Sequence, residues 1–403
     1  MIIDESIFKA YDIRGVYPTQ LNEEVAYRLG RAFSQMIQTE LKQKNITIAV
    51  GYDMRLSSDS LTKSLISGIL ESGADVVNIG LVATPTFYFS VANYNYDAGI
   101  QVSASHNPAE YNGFKMVRKN AIPVSGDTGI LTLSDMVVAN DFEEVEVKGV
   151  EMKNKNANED HLEFALSYYT EEIKPLKIVV DAANAVGAPI FEKLFKKLPC
   201  ELIKLNFELD GTFPGHEADP AKEENNKQLQ DKVLEVGADL GIALDGDCDR
   251  IFFIDNKGNT IQPAIVRGIL AKIFLKGNEG AKVCYDIRPG RITIDMIEEH
   301  GGIPVVTKVG HSLIKEKARE VDAIFAGESS GHFFLRMPFG TFEVPMIMTI
   351  KFLEELASSG QTAEEYVKPL QRYFHSGEIN HKVDDKEDCI CKIESKIWSK
   401  FET

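Results

Sequence analysis

The chain is poor in cysteine, with five among 403 residues. Cys200, Cys248, Cys284, Cys389 and Cys391 are odd in number and scattered. They lack paired CxxC spacing, which excludes a disulfide framework and a zinc ribbon and fits a reducing compartment. Long apolar runs are missing too, since no stretch reaches the roughly 18 uninterrupted residues that a membrane helix needs. Near the start, Asp4 and Glu5 stand where a signal peptide would carry lysines. Neither membrane insertion nor secretion is expected, and a cytoplasmic location is. Basic residues are outnumbered, 44 Lys and Arg against 61 Asp and Glu for a net charge of −17, which works against binding a polyanion such as nucleic acid. A small phosphate needs only a few local cations, and the remaining acidity reads as a well-solvated surface. Nucleotide fingerprints are absent: there is no G-x-x-x-x-G-K-[ST], and no G-x-G-x-x-G opens a helix after a strand.

What is present is a globular composition, 44% hydrophobic and 26% charged, on a length that suits several units of about 100 to 150 residues. Val25, Leu29, Ala32, Phe33, Met36 and Ile37 recur at helical spacing behind Asn22, a candidate cap. NITIAVGYD, DVVNIGLV and DAGIQVSAS read as strands, with an amphipathic helix from Asp59 to Gly73 between the first two. This alternation predicts an α/β sheet. KGVEMKNKNANED, polar and without apolar periodicity, reads as a boundary, after which the pattern restarts twice. The expected division is 1–148, 149–260 and 261–374, three similar mixed α/β domains. Residues 375–403 then begin a fourth: SGEINHKV reads as a strand, and Ile390, Ile393, Ile397 and Phe401 line one face of a helix. One strand and one helix cannot bury that face alone.

Four segments carry chemistry. Asp245-Gly246-Asp247-Cys248-Asp249-Arg250 sets three carboxylates at alternate positions between two strand-like runs. Crowded anions call for a cation, and hard oxygen donors favour Mg²⁺ or Ca²⁺. An EF-hand does not fit, because its sixth position is Arg250 rather than Gly, its twelfth is Asn256 rather than Glu, and its flanks read as strands. An acidic surface hairpin remains the plain alternative. In SASHNP (residues 103–108), Ser105 follows a strand end, where its hydroxyl needs a base. In extended backbone His106 would point to the opposite side, so Lys115 of YNGFK is the other candidate, provided its pKa is lowered. In GESSGH (327–332), Glu328 and Ser330 suit sugar hydroxyls, unless the loop is simply solvated linker. In TKVGHS (307–312), Lys308 and His311 would meet an anion at a helix start, with a plain cap as the alternative for His311.

Together, and in this order, YDIRG (11–15), GYDMRLSS (51–58), SASHNP with YNGFK, FPGHEADP (213–220), DGDCDR, TKVGH and GESSGH resemble the motifs of α-D-phosphohexomutases of the phosphomannomutase/phosphoglucomutase type. The resemblance spans nearly the whole chain and implies three such domains around a central cleft. The implied activity interconverts hexose 1-phosphate and hexose 6-phosphate, of mannose or glucose, through a phosphoserine and a hexose 1,6-bisphosphate. It implies phosphorylation of Ser105, and Mg²⁺ held by Asp245, Asp247 and Asp249 with a phosphoserine oxygen. Glu328 and Ser330 would bind the sugar's O3 and O4, with Tyr11, Lys308 and His311 along the same cleft. Arg14, Arg250 and Lys115 would surround the transferring phosphoryl group. Other readings are a phosphoglucosamine mutase and a noncatalytic sugar-phosphate-binding protein. Oligomeric state is left open.

The sequence departs from the family in three places. The distal phosphate clamp, of the form R-x-S-N-T-E-P in a fourth domain, does not occur in it. The expectation is therefore of a fourth domain only begun, and of a chain that is impaired, leaks bisphosphate or needs residues beyond Thr403. Cys248 stands where many relatives have Gly, and Thr341-Phe342-Glu343 where aspartates are common.

Overall fold

The computed structural model describes residues 3–288, 290–374 and 381–398, and the chain divides into two compact units at Gln371 and Arg372. The larger unit contains three sheets. The first runs in the order Ile13–Val16, Tyr111–Arg118, Ala98–Val102, Thr47–Tyr52, Asp75–Leu81 and Glu151–Lys153, with Ile122–Pro123 paired beside Tyr111–Arg118. Its middle strands are parallel and apolar at almost every position: all five residues of Ala98–Val102 are buried. This is the pattern of a strand covered on both faces. Asn22 caps the helix Glu23–Leu41 by accepting from Val25 N, as its position ahead of the periodic run predicts. That helix packs on Ser58–Glu71 through Gly30 and Gly68. A Cβ on Gly68 would lie 2.0 Å from the Tyr27 carbonyl oxygen, so only glycine permits this approach.

The second sheet runs Ile251–Asp255, Leu240–Leu244, Lys177–Asp181, Glu201–Leu205, and the third Ile303–Thr307, Lys282–Asp286, Phe325–Gly327, Phe333–Met337, Gly340–Glu343. Each begins with parallel pairing and ends in an antiparallel hairpin. The strands expected from the alternation are present, and the chain is the α/β protein that the sequence predicts.

Two elements differ from expectation. Glu151–Lys153, in the stretch read as structureless boundary, pairs with Asp75–Leu81 as an edge strand. Its three side chains are all exposed, so it has no apolar alternation to reveal it. Thr84–Asn93 forms a helix whose first nine residues, Thr84 to Ala92, are all buried, which erases helical periodicity. Phe87, Tyr88 and Phe89 carry it into one apolar core shared with Ile242 and Phe253 of the second sheet and Phe325 and Phe342 of the third.

In the smaller unit the helix Lys386–Trp398 is present, with Ile390 and Ile393 exposed. The strand expected over 376–383 lies, apart from 381–383, outside the described residues, as does Phe401.

Candidate active site

The functional segments follow the carboxyl ends of parallel strands, where α/β sheets place ligands. Residues 103–110 follow Ala98–Val102, the acidic loop 245–250 follows Leu240–Leu244, and 328–332 follows Phe325–Gly327. Lys308 and Gly310 connect Ile303–Thr307 to the helix His311–Glu320. An antiparallel bridge between Arg250 and His332 joins the second and third of these loops.

Ser105 is buried, with φ of 53°, a left-handed conformation that a non-glycine residue adopts only under constraint. Its amide donates to Ser103 Oγ and its Oγ donates to Asp245 Oδ2, both at 3.0 Å. The same turn corrects the extended-backbone expectation for His106: its Nδ1 lies 3.2 Å from Ser105 Oγ. Burial and the cations Arg250 and Arg14 push His106 down to about 2, so its imidazole is neutral.

Asp245, Asp247 and Asp249 are buried, with ligand oxygens within 4.8 Å of one another. Lys115 Nζ donates to Asp247 Oδ2 and Asp249 Oδ2, both at 2.6 Å. Thr84, at the start of the buried helix, donates from Oγ1 to Asp247 Oδ2 at 2.5 Å and from its amide to the Asp247 carbonyl at 3.0 Å. Burial and the charges of Asp249 and Asp247 push the Asp245 carboxyl well above the carboxylate range. Burial opposes ionisation of Asp249 too, but Lys115 and His332 outweigh it and hold the group well below that range. Asp247 Oδ1 and Asp249 Oδ1 are buried without a hydrogen-bond partner among the described residues. Three clustered carboxylates, two of them with an orphaned oxygen, fit a divalent cation.

The condition set for Lys115 as a base is not met. Burial favours its neutral form, but Asp247 and Asp249 outweigh burial and raise its pKa well above the usual lysine value.

Around this centre, Arg14 donates from Nε to Asp12 Oδ2 at 2.7 Å and from a terminal nitrogen to Asn107 Oδ1 at 2.6 Å. Arg250 lies 3.6 Å from Asp219 and 3.9 Å from Asp245. Glu328 accepts from Gly310 N at 2.8 Å, and its other oxygen lies 3.3 Å from His332 Nδ1. Ser330 Oγ is 2.8 Å from the same nitrogen. Tyr11 meets the His311 ring edge-on at 6.0 Å, and His311 stacks on His332 at the same centroid distance. Lys308 stands exposed in the loop before the helix.

His332 was not assigned a role from the sequence, although it closes the GESSGH motif. Its Nε2 lies 3.2 Å from Asp249 Oδ1. Burial works against its charged ring, but Asp249 and Glu328 outweigh that and hold it at about 9. It thus ties a carboxylate of the acidic loop to the sugar-type loop. Asp286, one strand away, accepts from the amide and Oγ of Ser329 and so braces that loop. No sequence motif announces this contact.

Models of the phosphoglucomutase/phosphomannomutase family match the chain as α/β/α domain I over residues 5–143, domain II over 159–258 and domain III over 260–373. Phosphomannomutase of Vibrio cholerae is 38% identical over 93% of this chain and 82% of its own length. That of Escherichia coli K12 is also 38% identical, over 96% of this chain and 85% of its own. A crystal structure of a phosphoglucomutase/phosphomannomutase family protein from Burkholderia thailandensis superposes with a TM-score of 0.86 at 35% identity, covering 93% of this chain and 81% of that one. On these matches, and with this site, the chain is a phosphohexomutase and belongs to the phosphoglucomutase/phosphomannomutase family of α-D-phosphohexomutases.

Proposed function

We propose that the chain moves a phosphoryl group between C1 and C6 of mannose and glucose phosphates by way of phosphoserine at Ser105. The observation that carries this reading is the 3.0 Å contact between Ser105 Oγ and Asp245 within a cluster that also holds Asp247, Asp249 and Lys115. Phosphoryl transfer demands positioning and charge neutralisation more than covalent participation by the protein. Asp245, Asp247 and Asp249 hold Mg²⁺ in this reading, and the ion, when bound, neutralises charge on the phosphoryl oxygens.

The remaining roles belong to the chain's own side chains. In one half-reaction the P–Oγ bond of phosphoserine 105 breaks as a P–O bond forms to the free sugar hydroxyl. The hydroxyl's proton is balanced by the one Ser105 Oγ regains. Lys115, Arg14 and Arg250 offset the charge of the group in flight. Glu328 and Ser330 orient the ring through its hydroxyls, with Tyr11, Lys308 and His311 beside them. The resulting hexose 1,6-bisphosphate reorients and returns its other phosphate to Ser105. The proposed division is 1–148, 149–260 and 261–374, with Glu151–Lys153 of the second stretch paired into the first sheet, and it gives each of the first two domains one reactive segment and the third the sugar loops. Among the described residues no helix is long and apolar enough to cross a membrane, and we place the enzyme in the cytoplasm.

The test is conversion of glucose 1-phosphate and mannose 1-phosphate to their 6-phosphates with Mg²⁺ and a trace of hexose 1,6-bisphosphate, for the native chain and Ser105→Ala. The native chain is expected to turn over and to gain about 80 Da on Ser105, discharged by hexose monophosphate. Equal turnover by Ser105→Ala would remove the phosphoserine from the mechanism. Glucosamine 1-phosphate in the same assay tests the rival substrate, which the relatives' names do not favour.

A further inference from the structure

Ser105 presents its hydroxyl from a left-handed turn that its own backbone disfavours, so something outside the turn must hold it. Arg55 does. Its side chain is fully buried, and its two terminal nitrogens donate to four carbonyls of one loop: Pro108 at 2.7 Å, Tyr111 at 2.9 Å, Ser105 at 2.8 Å and Asn107 at 2.5 Å. Asp53, also buried, lies 3.4 Å from Arg55 Nε and is itself fixed by Ser58 Oγ at 2.6 Å. On its flat side the guanidinium lies 5.0 Å from the centre of the Phe213 ring. Phe213 belongs to the FPGHEADP segment that follows the second sheet's edge strand. The backbone presses close there, since a Cβ on Gly211 would lie 2.9 Å from Arg55 Cα.

We propose that Arg55 is the positioning residue for the nucleophile: it sets the loop that aims Ser105 Oγ at Asp245 and registers that loop against the second sheet, while touching no reacting atom. The inference rests on Ser105 being the phosphoacceptor. Carbonyls turned toward a buried space need donors, and a planar fork of five N–H groups serves several at once in fixed directions. Lysine carries the same charge as a single point with three donors and cannot replace that fork. The side chain reports on loop position rather than on sugar affinity, because Glu328 and Ser330 are braced separately through His332 and Gly310.

The experiment is single-turnover phosphorylation of the dephosphorylated chain, residues 1–403, by glucose 1,6-bisphosphate in Mg²⁺, read as the mass gain on Ser105. Arg55→Lys is expected to label about 100-fold more slowly, the scale of an ångström-sized misplacement. KM for glucose 1-phosphate is expected to stay within about threefold of the native value, since an interaction confined to the reacting geometry acts on kcat. Added guanidinium ion is expected to restore part of the labelling rate of Arg55→Ala, which a general loss of folding would not permit. Asp53→Asn keeps the guanidinium but loosens its anchor, and serves if the arginine variants do not fold. It is expected to label about tenfold more slowly on the same argument. Native labelling rates in Arg55→Lys, or in Asp53→Asn where the arginine variants are unfolded, would overturn the role of Arg55 alone. No label on native Ser105 would overturn the phosphoserine reading and the inference with it.

Discussion

Gly246 shows how little slack separates the nucleophile loop from the acidic loop. A Cβ there would stand 2.3 Å from the Ser105 carbonyl oxygen, a backbone atom that Arg55 already holds. Gly246→Ala must therefore push Ser105 and Asp245 apart. A drop in kcat of about 100-fold is expected from such misplacement, checked by steady-state assay with glucose 1-phosphate, and an unchanged kcat would mean the loops can separate without cost. Two residues on, Cys248 is buried with φ of 60°. Burial and the charges of Asp245, Asp247 and Asp249 raise its thiol pKa well above the usual value. Its burial also keeps the thiol from reagents in solvent. Iodoacetamide at pH 8 is expected to label the exposed Cys391 and spare Cys248, with activity retained. That Ser105, the three aspartates and Glu328 belong to candidate sites was legible because their motifs are local in sequence. The contacts of Arg55, Thr84, His332 and Asp286 were not, because each reaches a loop distant in sequence or turned by a conformation that residue types do not encode.

Among the elements, those with one apolar face announced themselves and those without did not. Ser58–Glu71 buries a stripe and solvates much of the rest, and Glu23–Leu41, although buried at every residue from 28 to 34, still sets its large apolar residues at helical spacing behind the Asn22 cap, so periodicity located both. Thr84–Asn93 is buried all round and Glu151–Lys153 exposed all round, and neither leaves a period to read. The contact between the two amphipathic helices was equally invisible, because it depends on what is missing from Gly30 and Gly68. Gly68→Ala gains in intrinsic helix propensity by about 1 kcal/mol, yet its Cβ would enter the Tyr27 carbonyl oxygen at 2.0 Å. The steric term wins, and a net destabilisation of about 1 to 3 kcal/mol is expected. Urea unfolding that placed the variant at or above native stability would show that the helices can separate freely.

At the scale of the larger unit, three sheets that each look self-sufficient in sequence are joined by helices that belong to none of them alone. Ala157–Leu166 packs against Thr84–Asn93, against Gly187–Phe195 beside the second sheet, and against Pro345–Ser359 after the third. His161 sits in that joint, buried, with Nδ1 2.9 Å from Thr86 Oγ1 and its ring stacked on Phe89 at 4.9 Å. Burial lowers its pKa from 6.5 to about 3, so the native state keeps the ring neutral while the unfolded chain takes up a proton below 6.5. The sign follows: the unfolded state binds more protons, and stability falls with falling pH. His161's contribution is intact above 6.5 and is lost progressively as the pH drops toward 3, at a limiting slope of about 1.4 kcal/mol per pH unit. At pH 5 the native chain is expected to have lost about 2 kcal/mol on this account. His161→Gln, which cannot titrate but can still hydrogen-bond Thr86, is expected to flatten that slope whatever it does to stability at pH 7.5. The measurement is the difference in unfolding free energy between pH 7.5 and pH 5 for the two proteins. Because the joint touches helices packed with all three sheets, far-UV and near-UV signals are expected to fall together. Equal acid sensitivity in both proteins would place the labile group elsewhere.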